Sequence, residues 1–379
     1  MSDTFKETTS QSWGSRIMES IKGILFGLAL FIAAFVVLWW NEGRAIRTAK
    51  SLEEGAANVK TVQADKVLPE NDKKLVHLSS IITVHDTLKD DEFNVAVNAA
   101  KLSRVVEMYQ WTEEKSEKKE KKVGGSEETV TTYNYKKIWS ISNINSSEFK
   151  IQEGHVNPSQ FTYNSNELTA NNVDIGAFKL SESLLNQINN YEAYPISTLD
   201  TSRIKNGILN SGTVYIGSKK YSDPQIGDQR VSFKVVKPAQ VSIVARQINN
   251  TFEPYIAQEG GSVELLSYGT VSSELMFSNA QSSNTFMTWL VRLGGFFMMF
   301  IGLSMVLKPL AVVGDVLPIL GSIIGMGAGL VSGVISFALS LVTIAIAWIF
   351  YRPVLGICLL VLGIGGFIGI KKILGKKKV

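Results

Sequence analysis

The residues that could carry chemistry in this sequence are few, and their spacing argues against most of it. His77, His85 and His155 stand far apart, and none has the i, i+4 or cysteine-linked spacing that sets metal ligands on one helix face or loop. They read as structural or surface histidines. Cys358 is the single cysteine and sits in an apolar stretch, so neither a disulfide framework nor a thiolate metal site is available. No G-x-S-x-G elbow and no Walker loop occurs. Gly325-Met326-Gly327-Ala328-Gly329 has the glycines of a phosphate loop, but no strand precedes it and no lysine follows. In Pro224 to Arg230, the residues Gly227, Asp228 and Arg230 read as a turn feeding a strand, with a catalytic Asp and its Arg partner as the competing reading. With no acid–base pair to assemble, the expectation is a protein that is not an enzyme and uses no cofactor and no metal.

Two other constellations are more informative. Asn41-Glu42-Gly43-Arg44 leaves an apolar stretch just where Arg292 and Arg352 border others, so Glu42, Arg44, Arg292 and Arg352 are expected to form an ionic lock at one membrane interface. Independent contacts of each side chain with headgroups are the alternative. Gly321, Gly325, Gly329 and Gly333 recur every four residues and share one helix face, and Gly23 with Gly27 repeats the spacing. Small residues at this spacing let membrane helices approach closely, within one bundle or between copies of the chain.

The elements that must position these residues are mostly membrane helices. The 379 residues are 45% hydrophobic, but the apolar residues are concentrated. Ile24 to Trp40 carries no charge, and beyond Leu293 charges almost vanish before the terminal lysines. A span needs about 20 apolar residues. The first stretch has a long polar lead and no small-residue cleavage site, so it reads as a retained signal anchor rather than a cleaved signal peptide. Tryptophan and tyrosine favour the membrane boundary, and lysine and arginine near short loops favour the cytoplasmic side. Four spans with the N-terminus inside place Trp39, Trp40, Trp289, Trp348 and Tyr351 at the outer boundary and Lys22, Lys308 and the terminal lysines at the inner one. Arg44, Arg47 and Lys50 run against that rule.

The expected fold is therefore an integral membrane α-helical protein of four spans with a large α+β, β-rich extracytoplasmic domain. Its divisions are a cytoplasmic N-terminus (1–22), transmembrane helix 1 (23–40), the extracytoplasmic domain (41–285), helix 2 (289–307), an interfacial or re-entrant segment (308–327), helix 3 (328–350), helix 4 (354–370) and a basic cytoplasmic tail (371–379). Ala45 to Val59 has helical periodicity and continues the first helix outward. Val105 to Trp111 and Tyr133 to Tyr135 alternate as strands, joined through a charged run, Glu113 to Lys122, that reads as a solvated loop. Further strands are expected at Leu75 to Val84, Thr213 to Ile216, Arg230 to Val236, Val241 to Gln247 and Val263 to Tyr268, and one amphipathic helix around Ile175 to Ile188. The net charge of +4 is scattered, so no nucleic-acid partner is expected.

Taken in order along the chain, several blocks resemble the transmembrane protein 43 (LUMA) family. They are Asn41-Glu42-Gly43-Arg44-Ala45, Leu52-Glu53-Glu54-Gly55, Gly154-His155 with Asn157-Pro158, Pro224 with Gly227-Asp228 and Arg230-Val231-Ser232-Phe233, Trp289 with Arg292, and Tyr351-Arg352-Pro353. The resemblance implies four spans, both termini on one side and one large luminal domain. It also implies a non-enzymatic scaffold, which in animal members binds lamins and emerin, self-associates and organises the nuclear envelope. The charged insertion and the Lys- and Asn-rich composition look bacterial, so the expected location is a bacterial inner membrane, with the endoplasmic reticulum or inner nuclear membrane as the eukaryotic alternative. Expected partners are membrane lipids, other membrane proteins and further copies of the chain in a homo-oligomer. The alternative functions are a transporter or channel component, for which Asp315 is the one acidic candidate in the C-terminal apolar region, and an extracytoplasmic hydrolase.

Overall fold

The computed structural model describes residues 3–196, 204, 206–210, 212–217 and 220–351. The main strands are β1 (Asp3–Gln11), β2 (Leu75–Val84), β3 (Lys101–Lys121), β4 (Glu127–Ser140), β5 (Val173–Ile175), β6 (Thr213–Ile216), β7 (Gln229–Val236), β8 (Gln240–Ile248) and β9 (Leu265–Tyr268). The helices are α1 (Trp13–Asn58), α2 (Glu182–Gln187), α3 (Ser273–Gly314) and α4 (Pro318–Tyr351).

Among the described residues three helices, α1, α3 and α4, are long and apolar enough to cross a membrane, which replaces the expected four. A separate correction falls at residues 308–327. Instead of an interfacial segment, α3 runs through Pro309 to Gly314, the chain turns at residues 315–317, and Pro318 opens α4, which continues unbroken to Tyr351. Proline suits this first helical position because its missing N–H has no helical partner to lose. The stretch 354–370, expected as a further span, lies outside the described residues.

Both long domain-contacting helices are capped by serine. The Ser12 side chain accepts from the Ser15 amide ahead of α1, and Ser272 accepts from Leu275 ahead of α3. From Trp13 to Asn58 α1 is one helix, so the membrane stretch and the amphipathic stretch beyond it form a single rod. Its outer end enters the domain, where Leu52 packs with Leu75, Val244, Val263, Met276 and Phe277.

The domain is built on two sheets. In the eight-stranded sheet the order β1-β4-β3-β7-β6 is antiparallel throughout, and β6 is followed by a strand at Gly207–Asn210. The seven-stranded sheet is centred on the antiparallel pair β2–β8, flanked by β5 and β9. Alternate residues of each face one shared core: Val76, Leu78, Val241 and Ile243 from one sheet meet Leu102, Val106, Val231 and Phe233 from the other. Burying each such side chain contributes roughly 1.5–3 kcal/mol.

Three local readings change. The charged run is strand, not loop: β3 and β4 stay paired from Met108↔Ser140 to Lys121↔Glu127, and the chain reverses only at residues 122–126. The helix expected at Ile175 to Ile188 shrinks to α2. Gly176 takes φ +61, which turns the chain between β5 and Phe178, and helix begins only after Ser181 caps it. Finally, residues 3–11, for which no strand is expected within the cytoplasmic N-terminus 1–22, form β1 along β4.

That last pairing has a geometric consequence. At the hairpin tip the Gly124 amide donates to the Val316 carbonyl, beside the start of α1 and the end of α3. The domain lies at the opposite end of α1. From Arg16 to Asn41 α1 rises about 38 Å, and from Gln110 to Lys121 β3 covers about 36 Å. The sheet β1-β4-β3 therefore runs at the same level as the apolar stretch of α1. In Glu113–Lys121 only Ser116 is uncharged. A sheet of this kind, with an open edge, is compatible with a bilayer only where water or protein flanks it instead of lipid.

Candidate functional site at the three-helix junction

A buried polar cluster forms where α1, α3 and α4 meet below the domain. Glu42, 1% exposed, accepts two hydrogen bonds from Arg292, Nε to Oε1 at 2.7 Å and Nη2 to Oε2 at 2.8 Å. Trp348 Nε1 donates to the same Oε2 at 2.8 Å. The Arg292 guanidinium also lies 4.7 Å from the Trp289 ring centroid and 5.5 Å from that of Trp348. A guanidinium suits this place because its planar fork matches the carboxylate while its faces stack on indole.

Arg44 points elsewhere. It donates to Asn284 Oδ1 at 3.1 Å, Asn41 Oδ1 at 3.2 Å and Thr288 Oγ1 at 3.1 Å. Asn41 donates to the Thr288 carbonyl and Asn284 to the Ala45 carbonyl, so α1 and α3 are clamped through side chain and backbone together. Gly43 leaves room for Tyr351, whose ring a Cβ would meet at 2.7 Å. Beside this cluster Ala45, Ala49, Gln281 and Thr285 line a cavity of about 250 Å³. Of the four residues expected to interact, the structure thus joins Glu42 with Arg292 and sets Arg44 on a separate amide clamp. Arg352 lies outside the described residues. Trp348, Asn41, Asn284 and Thr288 complete these contacts as partners that charge alone does not reveal, although tryptophan at a membrane boundary is itself a signal.

A second cluster closes the other end of the bundle. Asp315, 1% exposed, receives Arg16 Nη2 at 2.6 Å and Lys121 Nζ at 2.8 Å. Arg16 also reaches Glu127 at 3.3 Å, and Trp13 Nε1 donates to the Val312 carbonyl at 2.8 Å. Asp315 is thus a doubly paired carboxylate at the end of α3.

The glycine face lies mostly against α3. A Cβ at Gly321 would collide with Asp315, one at Gly325 would touch Ala311 at 3.6 Å, and one at Gly333 would touch Phe300 at 3.8 Å, while Gly329 faces open space. The closest helix approach is elsewhere. A Cβ at Gly302 would lie 2.6 Å from the Gly27 carbonyl oxygen, and one at Gly295 would lie 2.5 Å from Leu38. Gly294-Gly295 and Gly302 lack the four-residue period and so escape a search for it.

In the domain, Gly227 takes φ +94, and the Asp228 carboxylate accepts from the Tyr215 hydroxyl and from the Gln225 amide at 2.7 Å. Burial, then the bond to Asp228, raises the Tyr215 hydroxyl well above its ordinary pKa. Arg230 pairs with Glu107 through two bonds of 2.6 and 2.8 Å and stacks on Trp139. The two residues face different partners, so no Asp–Arg pair forms. His77 contacts the Val271 carbonyl, His85 contacts Asp174, and His155 contacts Asp3 while stacking on Tyr135. Burial, then the bond to Glu113, pushes the Tyr135 hydroxyl up to about 12. Among the described residues no three His, Cys, Asp or Glu side chains gather where they could hold a metal ion.

Residues 108–353 match the family described as Transmembrane protein 43. The chain is 34% identical to mouse Transmembrane protein 43 over 351 residues, 89% of this chain and 86% of the relative. The chain belongs to the transmembrane protein 43 family. It is also 33% identical to the human protein, covering 92% of this chain and 89% of that one. With the Drosophila melanogaster homolog it shares 32% identity over 91% of this chain and 93% of the homolog. No solved structure matches. These relatives are animal proteins, which overturns the bacterial reading: the Lys- and Asn-rich composition and the charged β3–β4 hairpin are not bacterial markers here. The bacterial inner membrane is therefore withdrawn as the location. The chain is a membrane protein of this family, with helices suited to contact lipid.

Proposed function

We propose that this chain is a subunit of a membrane assembly enclosing a water-filled passage, and so a channel or transporter component. The observation that carries this reading is the polar sheet β1-β4-β3 at the level of the apolar stretch of α1, tied to the bundle through Arg16, Lys121 and Asp315. Such a sheet needs water or protein beside it. A second polar feature points the same way: Ser332, Ser336, Ser340 and Thr343 form a buried stripe along α4, and the hydroxyls of Ser332 and Ser336 have no partner among the described residues. A purely structural bundle would gain more from apolar packing there, since an unpaired buried hydroxyl costs about 1–3 kcal/mol. The animal relatives favour the endoplasmic reticulum or inner nuclear membrane as the site of this assembly.

The test is potassium flux from proteoliposomes containing the full chain. Flux above that of protein-free vesicles is expected, and reversing Lys118 and Lys119 to Glu should move the reversal potential toward cation preference. Flux equal to protein-free vesicles would remove this reading.

The second reading is a scaffold that organises membrane complexes as a homo-oligomer or with other membrane proteins. The paired Glu42 and Arg292 favour it, because a rigid joint between bundle and domain suits a docking platform. The glycine face supports self-association less than its spacing suggests, since Gly321, Gly325 and Gly333 turn toward α3. Cross-linking in native membranes that yields only the monomer would dismiss both readings.

A further inference from the structure

Toward the Lys308 end of the bundle, an apolar groove of about 360 Å³ lies between α3 and α4. Phe300, Ile301 and Met305 form one wall, and Gly325, Ala328 and Gly329 the other. The groove exists because the α4 wall is short: nothing lies within 4 Å of the place a Gly329 Cβ would take. The Ser304 hydroxyl, which also lines it, has no hydrogen-bond partner among the described residues.

A second cavity, polar and of about 340 Å³, adjoins the first, and Lys308 and Ala311 line both. Its charges are largely matched. Asp315 is held by Arg16 and Lys121, Arg16 also meets Glu127, and Glu19 accepts from Gln11. Glu19 thus meets a neutral amide, while Lys308 makes no hydrogen bond or ion pair among the described residues and stands exposed at the junction of the two cavities. From Arg292 to Lys308 α3 rises about 24 Å, so a lysine that extends from there reaches the headgroup region of the leaflet opposite the Glu42 junction.

An apolar trough ending at an unmatched ammonium is complementary to an amphiphile with one anionic head. We propose that this groove binds a single anionic phospholipid, its acyl chain between α3 and α4 and its net-negative headgroup on Lys308. The Ser304 hydroxyl lies within the trough, and the adjoining polar cavity leaves room for the remainder of the headgroup.

The test uses the full-length chain in mild detergent, titrated with palmitoyl-oleoyl phosphatidylserine or phosphatidylcholine and read by native mass spectrometry. The first lipid bound should favour phosphatidylserine about fivefold, the contribution of one lysine at an anionic headgroup. Lys308→Gln should equalise the two lipids, and Gly329→Leu should lower occupancy by both. A preference that survives Lys308→Gln overturns the proposal, as does unchanged occupancy in a folded Gly329→Leu protein. If Gly329→Leu fails to fold, the lysine variant decides alone. Displacement of the lipid by glycerol 3-phosphate at equal concentration would assign the site to a soluble phosphate. Loss of dimer mass in Gly329→Leu without a change in lipid occupancy would assign the groove to a second copy of the chain. Either result overturns the lipid.

Discussion

Glu42 is the residue whose surroundings differ most from those of an ordinary surface carboxylate. It is held by a bidentate guanidinium and an indole N–H, and all three groups come from different helices. Breaking such a buried pair from one side leaves the other charge unmatched, at a cost of about 3–5 kcal/mol, whereas removing both charges costs far less than the sum. Glu42→Gln and Arg292→Gln should therefore each lower stability in detergent by about that amount, and the double variant should recover a large part of it. Denaturant titration of the four proteins measures the coupling, and strictly additive losses would show that the two side chains act separately. Arg292→Lys should not rescue, because a lysine cannot chelate both carboxylate oxygens while stacking between Trp289 and Trp348.

At the scale of the element, the α1–α3 contact is set by glycine backbones. With the Gly27 carbonyl oxygen 2.6 Å from the place of a Gly302 Cβ, the helices must part to admit any side chain. Gly302→Leu should destabilise the bundle by about 1–3 kcal/mol or more, and Gly329→Leu, which faces open space, should leave its melting temperature nearly unchanged. Helix cores and most of the sandwich strands were legible because hydrophobic period and length suffice for them: Leu75 to Val84 and Thr213 to Ile216 form strands where alternation or β-branching places them. The hairpin arms were not legible over Glu113–Lys121, because cross-strand pairing holds a charged segment extended without any apolar period. The same holds for β1, whose partner lies more than a hundred residues away. At the junction Glu42 and Arg292 announced themselves as rare charges beside apolar stretches. Asn41, Asn284 and Thr288 did not, since amides and hydroxyls at a helix end usually meet water.

For the whole molecule, the question is how the β1-β4-β3 sheet and the spans share one bilayer. Thr8 and Val130 are register partners, and such neighbours have Cα separations of about 4.5–5.5 Å, within reach of a disulfide. With Cys358 replaced by Ser to clear the background, a Thr8→Cys, Val130→Cys protein should cross-link on mild oxidation in native membranes. Cross-linking in detergent but not in membranes would show that the sheet opens when the helices are embedded, and the proposal of a water-filled passage would lose its main support.

The β1–β4 pairing also fixes an order of events during synthesis. Residues 3–11 leave the ribosome ahead of α1, while their partners 127–135 emerge only after the anchor has already engaged the membrane. The first strand must wait unpaired, an exposed template with a free backbone edge. It is thus made well before its partner and is among the last segments to find its place, and anything that binds this short arm in the interval governs whether the newborn chain closes its sheet.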